Sequence, residues 1–297
     1  MHERLAGPDL TNPRAERVRR VRALARRSSR LRHGQFLVEG PQGVREAVRH
    51  CPGQVRDVYL TPAAAERHPE VVAAARAAQV YLHTALPEVL AAMSPDAQGV
   101  LAVLDATSTR LSEVLSAGPR LVVLLAGVSD PGNAGTVIRA ADAAGADAVV
   151  LAAGSVELLN PKVVRSTAGS LFHLPVVTGA LLEEVLPAVR EAGLQILAAD
   201  GAGEWDLDEL DEAAARGRLP AGGHRRLGPP AAGTPAPDLA APTAWVLGNE
   251  AHGLTGAARG TADAVVRVPI HGLAESLNLA TAATVCLYAS ARAQRRG

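Results

Sequence analysis

Aromatic residues are scarce: two Trp, three Tyr and two Phe in 297 residues, 2% of the chain. That scarcity argues against RNA recognition driven by aromatic stacking platforms. Lysine is rarer still, with Lys162 alone beside abundant arginine. The bias points to a GC-rich coding sequence, so arginine number by itself says little about partners. The two cysteines, Cys51 and Cys286, have no close partner, which excludes a Cys-only zinc site and argues against a disulfide framework. A secretion signal is missing from the charged N-terminus, and no apolar stretch is long and uniform enough to span a bilayer. The expectation is a soluble cytoplasmic protein without a membrane or metal partner.

What is present suffices for two ordinary domains, with a hydrophobic fraction of 48%. The formal net charge of zero hides an uneven distribution. Residues 14 to 32 hold nine arginines against one acid, Glu16. Such a tract often contacts nucleic acid, making Arg26, Arg27 and Arg30 candidate RNA ligands; a solvated helix face is the alternative.

Alternating apolar runs and helical stretches organise the chain. After a tail over 1–13, a small α/β domain is expected over 14–105. It has a basic helix at 14–27, strands at 35–40, 55–60, 80–82 and 99–104, and helices at 43–50, 70–78 and 88–92. Residues 106–119 read as a linker. A doubly wound, mostly parallel α/β domain is expected over 120–297. Its strands fall at 120–126, 148–151, 195–199, 244–247 and 265–270, with helices at 134–144, after Asn160-Pro161, and at 276–293. The stretch Arg216 to Thr243 is dense in Pro, Gly and Ala and reads as a flexible surface insertion.

Three separated segments carry the chemistry. They are Ser129-Asp130-Pro131-Gly132-Asn133 running on to Arg139, Leu247-Gly248-Asn249-Glu250, and Val268-Pro269-Ile270-His271-Gly272 running on to Ser276, Leu277, Asn278 and Leu279. Each joins an apolar run to a turn rich in Gly, Asn or Ser, the type of junction where α/β proteins bind ligands. Gly132 and Gly135 permit close backbone approach, and amides at that helix start could hold a phosphate; Asp130 or Asn133 could equally cap the helix. Gly201 and Gly203 follow another strand and form a candidate fourth turn. Lys162, Arg165, Ser166 and Thr167 are donors of the kind that contact a ribose-phosphate chain, or else a solvated helix start. His252 and His271 sit in no ligand-spaced set.

In order and spacing, these segments resemble the three signature motifs of the SpoU (TrmH-like) family of SPOUT-class RNA 2'-O-ribose methyltransferases, over about residues 120 to 293. The upstream half resembles, less specifically, the ribosomal-protein-like RNA-binding domain often fused in front. The resemblance implies a trefoil-knotted α/β domain, a homodimer with the site near the subunit boundary, and S-adenosylmethionine as cofactor. Asn133, Arg139, Glu250, Ser276 and Asn278 are implied as the catalytic set. Leu247, Gly248, Ile270, Ser276 and Leu279, with Gly201 from the additional turn, are the expected cofactor contacts. Arg165 with Lys162, Ser166 and Thr167 is expected to help hold RNA. The implied reaction is 2'-O-methylation, with ribosomal RNA favoured over transfer RNA by family analogy. Alternatives are a transfer-RNA methyltransferase or a non-catalytic RNA-binding assembly factor. A dehydrogenase is disfavoured, because the turn after residues 121–126 does not spell Gly-x-Gly-x-x-Gly.

Overall fold

A computed structural model of the chain describes residues 8–217, 236–249 and 253–296. The chain divides into two compact units: Met1–Thr107 with Glu157–His173, and Ser108–Val156 with Leu174–Gly297.

The first unit is built on strands β1 (Gln35–Glu39), β2 (Val55–Leu60), β3 (Tyr81–Thr84) and β4 (Val100–Asp105), in the order β1-β4-β2-β3. β4 runs antiparallel to β1 and β2, while β2 and β3 are parallel. Side chains alternate across the sheet, as the two-residue strand period requires. Phe36, Val38, Val58, Leu60, Ala102 and Leu104 join a core with helices Pro41–His50 and Pro69–Ala77. Leu37, Tyr59, Leu101 and Val103 join a second core with helices Glu16–Ala23 and Pro87–Met93. Both faces are therefore covered.

The basic tract forms two helices, Glu16–Ala23 and Arg27–His33, where the sequence suggested one. Residues Glu157–His173, read from the sequence as part of the second domain, pack into this unit. Apolar contact and charge pairing both explain the placement. Val164 and Phe172 enter the first core, Arg30 pairs with Glu157, and Arg165 pairs with Glu39 and Asp96.

The second unit holds a seven-stranded sheet. Its strands are β5 (Leu121–Leu125), β6 (Ala148–Leu151), β7 (Val176–Thr178), β8 (Gln195–Ala199), β9 (Trp205–Asp206), β10 (Thr243–Leu247) and β11 (Ala264–Arg267). Their order is β7-β6-β5-β10-β8-β11-β9, and every pairing is parallel. The central strands β5 and β10 are buried along their whole length, as parallel strands covered on both faces must be. From β5 the chain adds β6 and β7 on one side, and β10, β8, β11 and β9 lie on the other, so the sheet reverses its winding beside β5. Crevices at the carboxyl ends of strands near such a reversal are where open α/β sheets bind ligands.

Helix Leu279–Gln294 packs on helix Pro131–Ala144 and on β10. The fully buried Trp245 on β10 donates its indole N–H to Ser290 Oγ at 2.9 Å, which fixes that helix to the sheet. The expected linker holds a helix, Leu111–Ser116, whose Val114 enters the core beneath it. Within the expected insertion Arg216–Thr243, residues 218–235 lie outside the described residues. Its final part is tied down: Leu239 is buried, and the Gln195 amide donates to Asp238 O and accepts from Asp238 N. No helix among the described residues is long and apolar enough to cross a membrane.

Candidate active site

The carboxyl ends of β8, β10 and β11 open into a cavity of about 890 Å³, within the range of about 300–1,000 Å³ usual for small-molecule sites. Asn133 contributes from the start of helix Pro131–Ala144. Asp200 and Gly201 come from the end of β8, Leu247 from β10, and Arg267 through Ile270 from β11 and the turn after it. Ser276, Leu277, Asn278 and Leu279 close the wall where the last helix begins. Strand β11 ends at Arg267, so Val268-Pro269-Ile270, expected as strand, is the start of an exposed loop over the cavity.

Two asparagines connect the first and third motifs. Asn278 Oδ1 accepts from the backbone amides of Ala280 (2.9 Å) and Thr281 (3.3 Å), capping the last helix. Its Nδ2 donates to Asn133 Oδ1 at 2.9 Å. Asn133 is itself seated by the N-cap of its helix, where Asp130 Oδ1 accepts from the Asn133 amide at 2.7 Å. Capping and site building are thus done by the same side chains.

The second motif is a tight backbone device. Asn249 and Gly253 exchange N–H···O bonds of 3.0 and 2.8 Å, and Asn249 Nδ2 donates to Gly127 O at 2.7 Å. Gly248 lies beneath this pairing. A Cβ there would fall 2.2 Å from Gly253 C and 2.5 Å from Leu254 N, so only glycine fits. Gly248 therefore shapes the wall by permitting backbone approach and does not itself line the cavity.

The fourth turn divides its two glycines between different tasks. Gly201 faces open space and lines the cavity. Gly203 packs on β11, where a Cβ would lie 2.7 Å from Arg267 N. Arg267 secures the same turn by donating to Gly203 O and Asp206 Oδ2, each at 3.0 Å. One feature missed in the sequence is the charge of the wall: Asp200, Asp206, Asp208, Glu209 and Glu275 all line it. The signal was available in Asp200, an acid standing directly at the end of an apolar strand. Asp206, Asp208 and Glu209 read as an ordinary acidic helix start, and Glu275 stands apart from them in the loop after β11.

Of the residues expected to be catalytic, Asn133, Ser276 and Asn278 meet at the cavity. Arg139 is exposed on helix Pro131–Ala144, about 9 Å along the axis from Asn133 by helical rise, and is not part of the cavity lining. Glu250 and His252 lie outside the described residues. Of the expected cofactor contacts, Leu247, Gly201, Ile270, Ser276 and Leu279 line the cavity.

The residues expected to touch RNA divide by burial. Arg26, Arg27 and Lys162 are exposed, and the half-buried Ser166 donates its hydroxyl to Lys162 O. Arg30, by contrast, is buried, with donors spent on Glu157, Leu24 O and Ala25 O. Thr167 is fully buried and donates to Val164 O. Both are corrected to structural roles, because neither offers a polar atom to a ligand. Arg165 is half-buried between Glu39 and Asp96.

The model of the SpoU rRNA Methylase family matches residues 120–288, and that of the MRM3-like substrate binding domain matches residues 15–102. The 23S rRNA (guanosine-2'-O-)-methyltransferase RlmB of Bordetella pertussis is 29% identical over 268 residues, covering 88% of this chain and 98% of that protein. The 23S rRNA (guanosine(2553)-2'-O)-methyltransferase RlmP of Bacillus subtilis is 31% identical over 273 residues, 92% and 95% of the two chains. Among solved structures, the SpoU methyltransferase AviRb of Streptomyces viridochromogenes in complex with AdoMet superposes with a TM-score of 0.76 at 30% identity, over 95% of this chain and all of that one (100%).

Proposed function

The chain belongs to the SpoU rRNA methylase family, and from that premise we propose that it methylates a ribose 2'-hydroxyl of ribosomal RNA, with S-adenosylmethionine as methyl donor. The observation that carries the reading is the Asn133–Asn278 hydrogen bond of 2.9 Å, which joins two motifs 145 residues apart at the rim of a ligand-sized cavity. The named relatives act on 23S rRNA, so large-subunit rRNA is the proposed substrate class.

The residues present suit the cofactor. Leu247, Ile270 and Leu279 offer apolar surface, while Gly201 and the chain around Gly248 offer bare backbone. Among the described residues of the wall, five carboxylates against one arginine, Arg267, which pairs with Asp206, leave an excess of acidic groups, which favours a ligand carrying a sulfonium and an ammonium. When bound, S-adenosylmethionine supplies a methyl group activated by its sulfonium.

The chain's own task is alignment and charge placement. Asn278 and Ser276 orient the ribose beside the cavity. Asn133 fixes the Asn278 amide, so that its remaining donor geometry is set before RNA arrives. Arg139 holds an RNA phosphate, since a guanidinium stays protonated and makes a poor base. The 2'-hydroxyl proton then passes to a phosphate oxygen of the RNA. Glu250 orients Arg139. Arg26, Arg27 and Lys162 add sequence-independent backbone contacts.

Three further features belong to the same reading. The domain is knotted through its C-terminal part. It works as a homodimer, with Val285 and Tyr288, both about two-fifths exposed on the last helix, among the apolar groups covered on pairing. It acts in the cytoplasm, where its RNA substrate is assembled. The functional test is Arg139→Ala: methyl transfer to rRNA should vanish while cofactor affinity stays within about threefold, because the interaction lost is electrostatic and lies outside the cofactor cavity. Equal loss of cofactor binding and transfer would reject the assigned role.

A further inference from the structure

One cluster outside the methyltransferase site has the chemistry of a metal centre. Glu46 and His50 lie one turn apart on helix Pro41–His50, which places them on one face. His173 reaches the same point from the end of the segment Glu157–His173, within the same compact unit. His50 Nε2 and His173 Nε2 each stand 3.4 Å from Glu46 Oε2. The two rings meet edge to face, with centroids 4.6 Å apart, and the three donor atoms all lie within 4.8 Å of one another.

The spacing decides what this arrangement suits. A tetrahedral zinc site with bonds of about 2.0–2.1 Å has ligand atoms about 3.4 Å apart. Two of the three donor pairs here have that separation before any ion is added. The carboxylate is also divided between tasks: its Oε1 accepts from Arg45 Nε at 2.7 Å and faces Arg49 at 4.0 Å, while Oε2 is turned to the imidazoles. Arg45 thus orients the ligand in the way outer hydrogen bonds orient metal-binding groups.

A second observation shows that the cluster is built into the fold. Gly169 adopts φ +102°, and a Cβ there would lie 2.6 Å from Glu46 Cγ. A side chain at that position would push the His173 segment off the carboxylate. Glu46 is held largely out of solvent, with its side chain 12% exposed, whereas His50 remains accessible at 49%, leaving an approach for the ion.

We propose that Glu46, His50 and His173 bind one divalent ion of the zinc class, with water completing the coordination, and that the ion pins the Glu157–His173 segment to helix Pro41–His50. The site is independent of the methyl-transfer reading. The test uses the full chain, stripped with EDTA and dialysed. Zn(II) is titrated by calorimetry, and Co(II) is titrated by visible absorption to report tetrahedral geometry. One ion should bind per chain with a rise in melting temperature. His50→Ala and His173→Ala should each weaken binding by about 100-fold or more, a loss at least as large as outer-shell changes produce, and should abolish the thermal shift. His33→Ala, at an exposed histidine elsewhere, should leave both unchanged. His50 is accessible at a helix end, so its variant keeps the fold, which circular dichroism verifies. Absence of binding, or unchanged affinity in both cluster variants, would overturn the proposal.

Discussion

Asn278 does two jobs with two atoms, and the jobs can be separated. Its Oδ1 caps the last helix through Ala280 and Thr281; its Nδ2 holds Asn133. Asn278→Ala removes both. Loss of the cap costs about 0.5–2 kcal/mol, and loss of the neutral hydrogen bond costs about 0.5–1.5 kcal/mol. The sum of about 1–3.5 kcal/mol corresponds to a fall in melting temperature of about 2–14 °C for a unit of this size. Asn278→Asp keeps an oxygen cap, which the positive end of the helix favours, but removes the donor to Asn133. It should lose only the hydrogen-bond share, about 0.5–1.5 kcal/mol of stability. Both variants should lose rRNA methylation to the same degree. The assays are urea unfolding and incorporation of labelled methyl from S-adenosylmethionine. Equal destabilisation of the two variants would refute the cap assignment. Full activity in Asn278→Asp would refute the role of the amide.

Other outcomes follow from particular contacts. Gly248→Ala forces a Cβ to within 2.3 Å of Gly253 O, so it should break the Asn249–Gly253 pairing and cost about 1–3 kcal/mol; cofactor affinity by calorimetry should fall at least about tenfold. Ser290→Ala leaves the buried Trp245 N–H without its acceptor and should destabilise the chain by about 1–3 kcal/mol in urea unfolding. Asp57 is held below its ordinary value of 3.8, chiefly by the hydrogen bond with His83, against the opposing effect of burial. A depressed folded value means the stabilisation is present above the unfolded value and is lost as pH falls through the folded one. Asp57→Asn should therefore lower stability at neutral pH and flatten the acid limb of the stability curve. Burial pushes the Cys286 thiol up to about 12 and raises Cys51 as well; a thiol reagent at mildly alkaline pH should react slowly with the native chain and fully with both cysteines after unfolding.

Much of the architecture is legible in the sequence because it rests on local pattern. The apolar run Leu121–Leu125 suits an interior strand, and Gly145, with φ +78°, ends the helix before it as a left-handed cap should. The first and third motif turns are equally legible, since each follows a strand and carries a helix-capping residue, Asp130 and Asn278. What sequence pattern could not reveal depends on distant partners. Residues Glu157–His173 look like the next αβ unit of the second domain. They pack elsewhere because Glu157 and Arg165 find Arg30, Glu39 and Asp96. Arg30 reads like its neighbours in a basic tract, and only the fold shows that it is buried. The acidic cavity wall draws on β8, the helix after β9 and the loop after β11, so no single window of sequence contains it.

Ribonuclease digests of 23S rRNA, analysed by mass spectrometry after incubation with the protein and labelled S-adenosylmethionine, test the central claim most directly. One added methyl on a ribose 2'-oxygen, absent with Arg139→Ala, is the result expected here. A methyl found on a base, or no transfer to RNA by a folded protein that binds the cofactor, would contradict it.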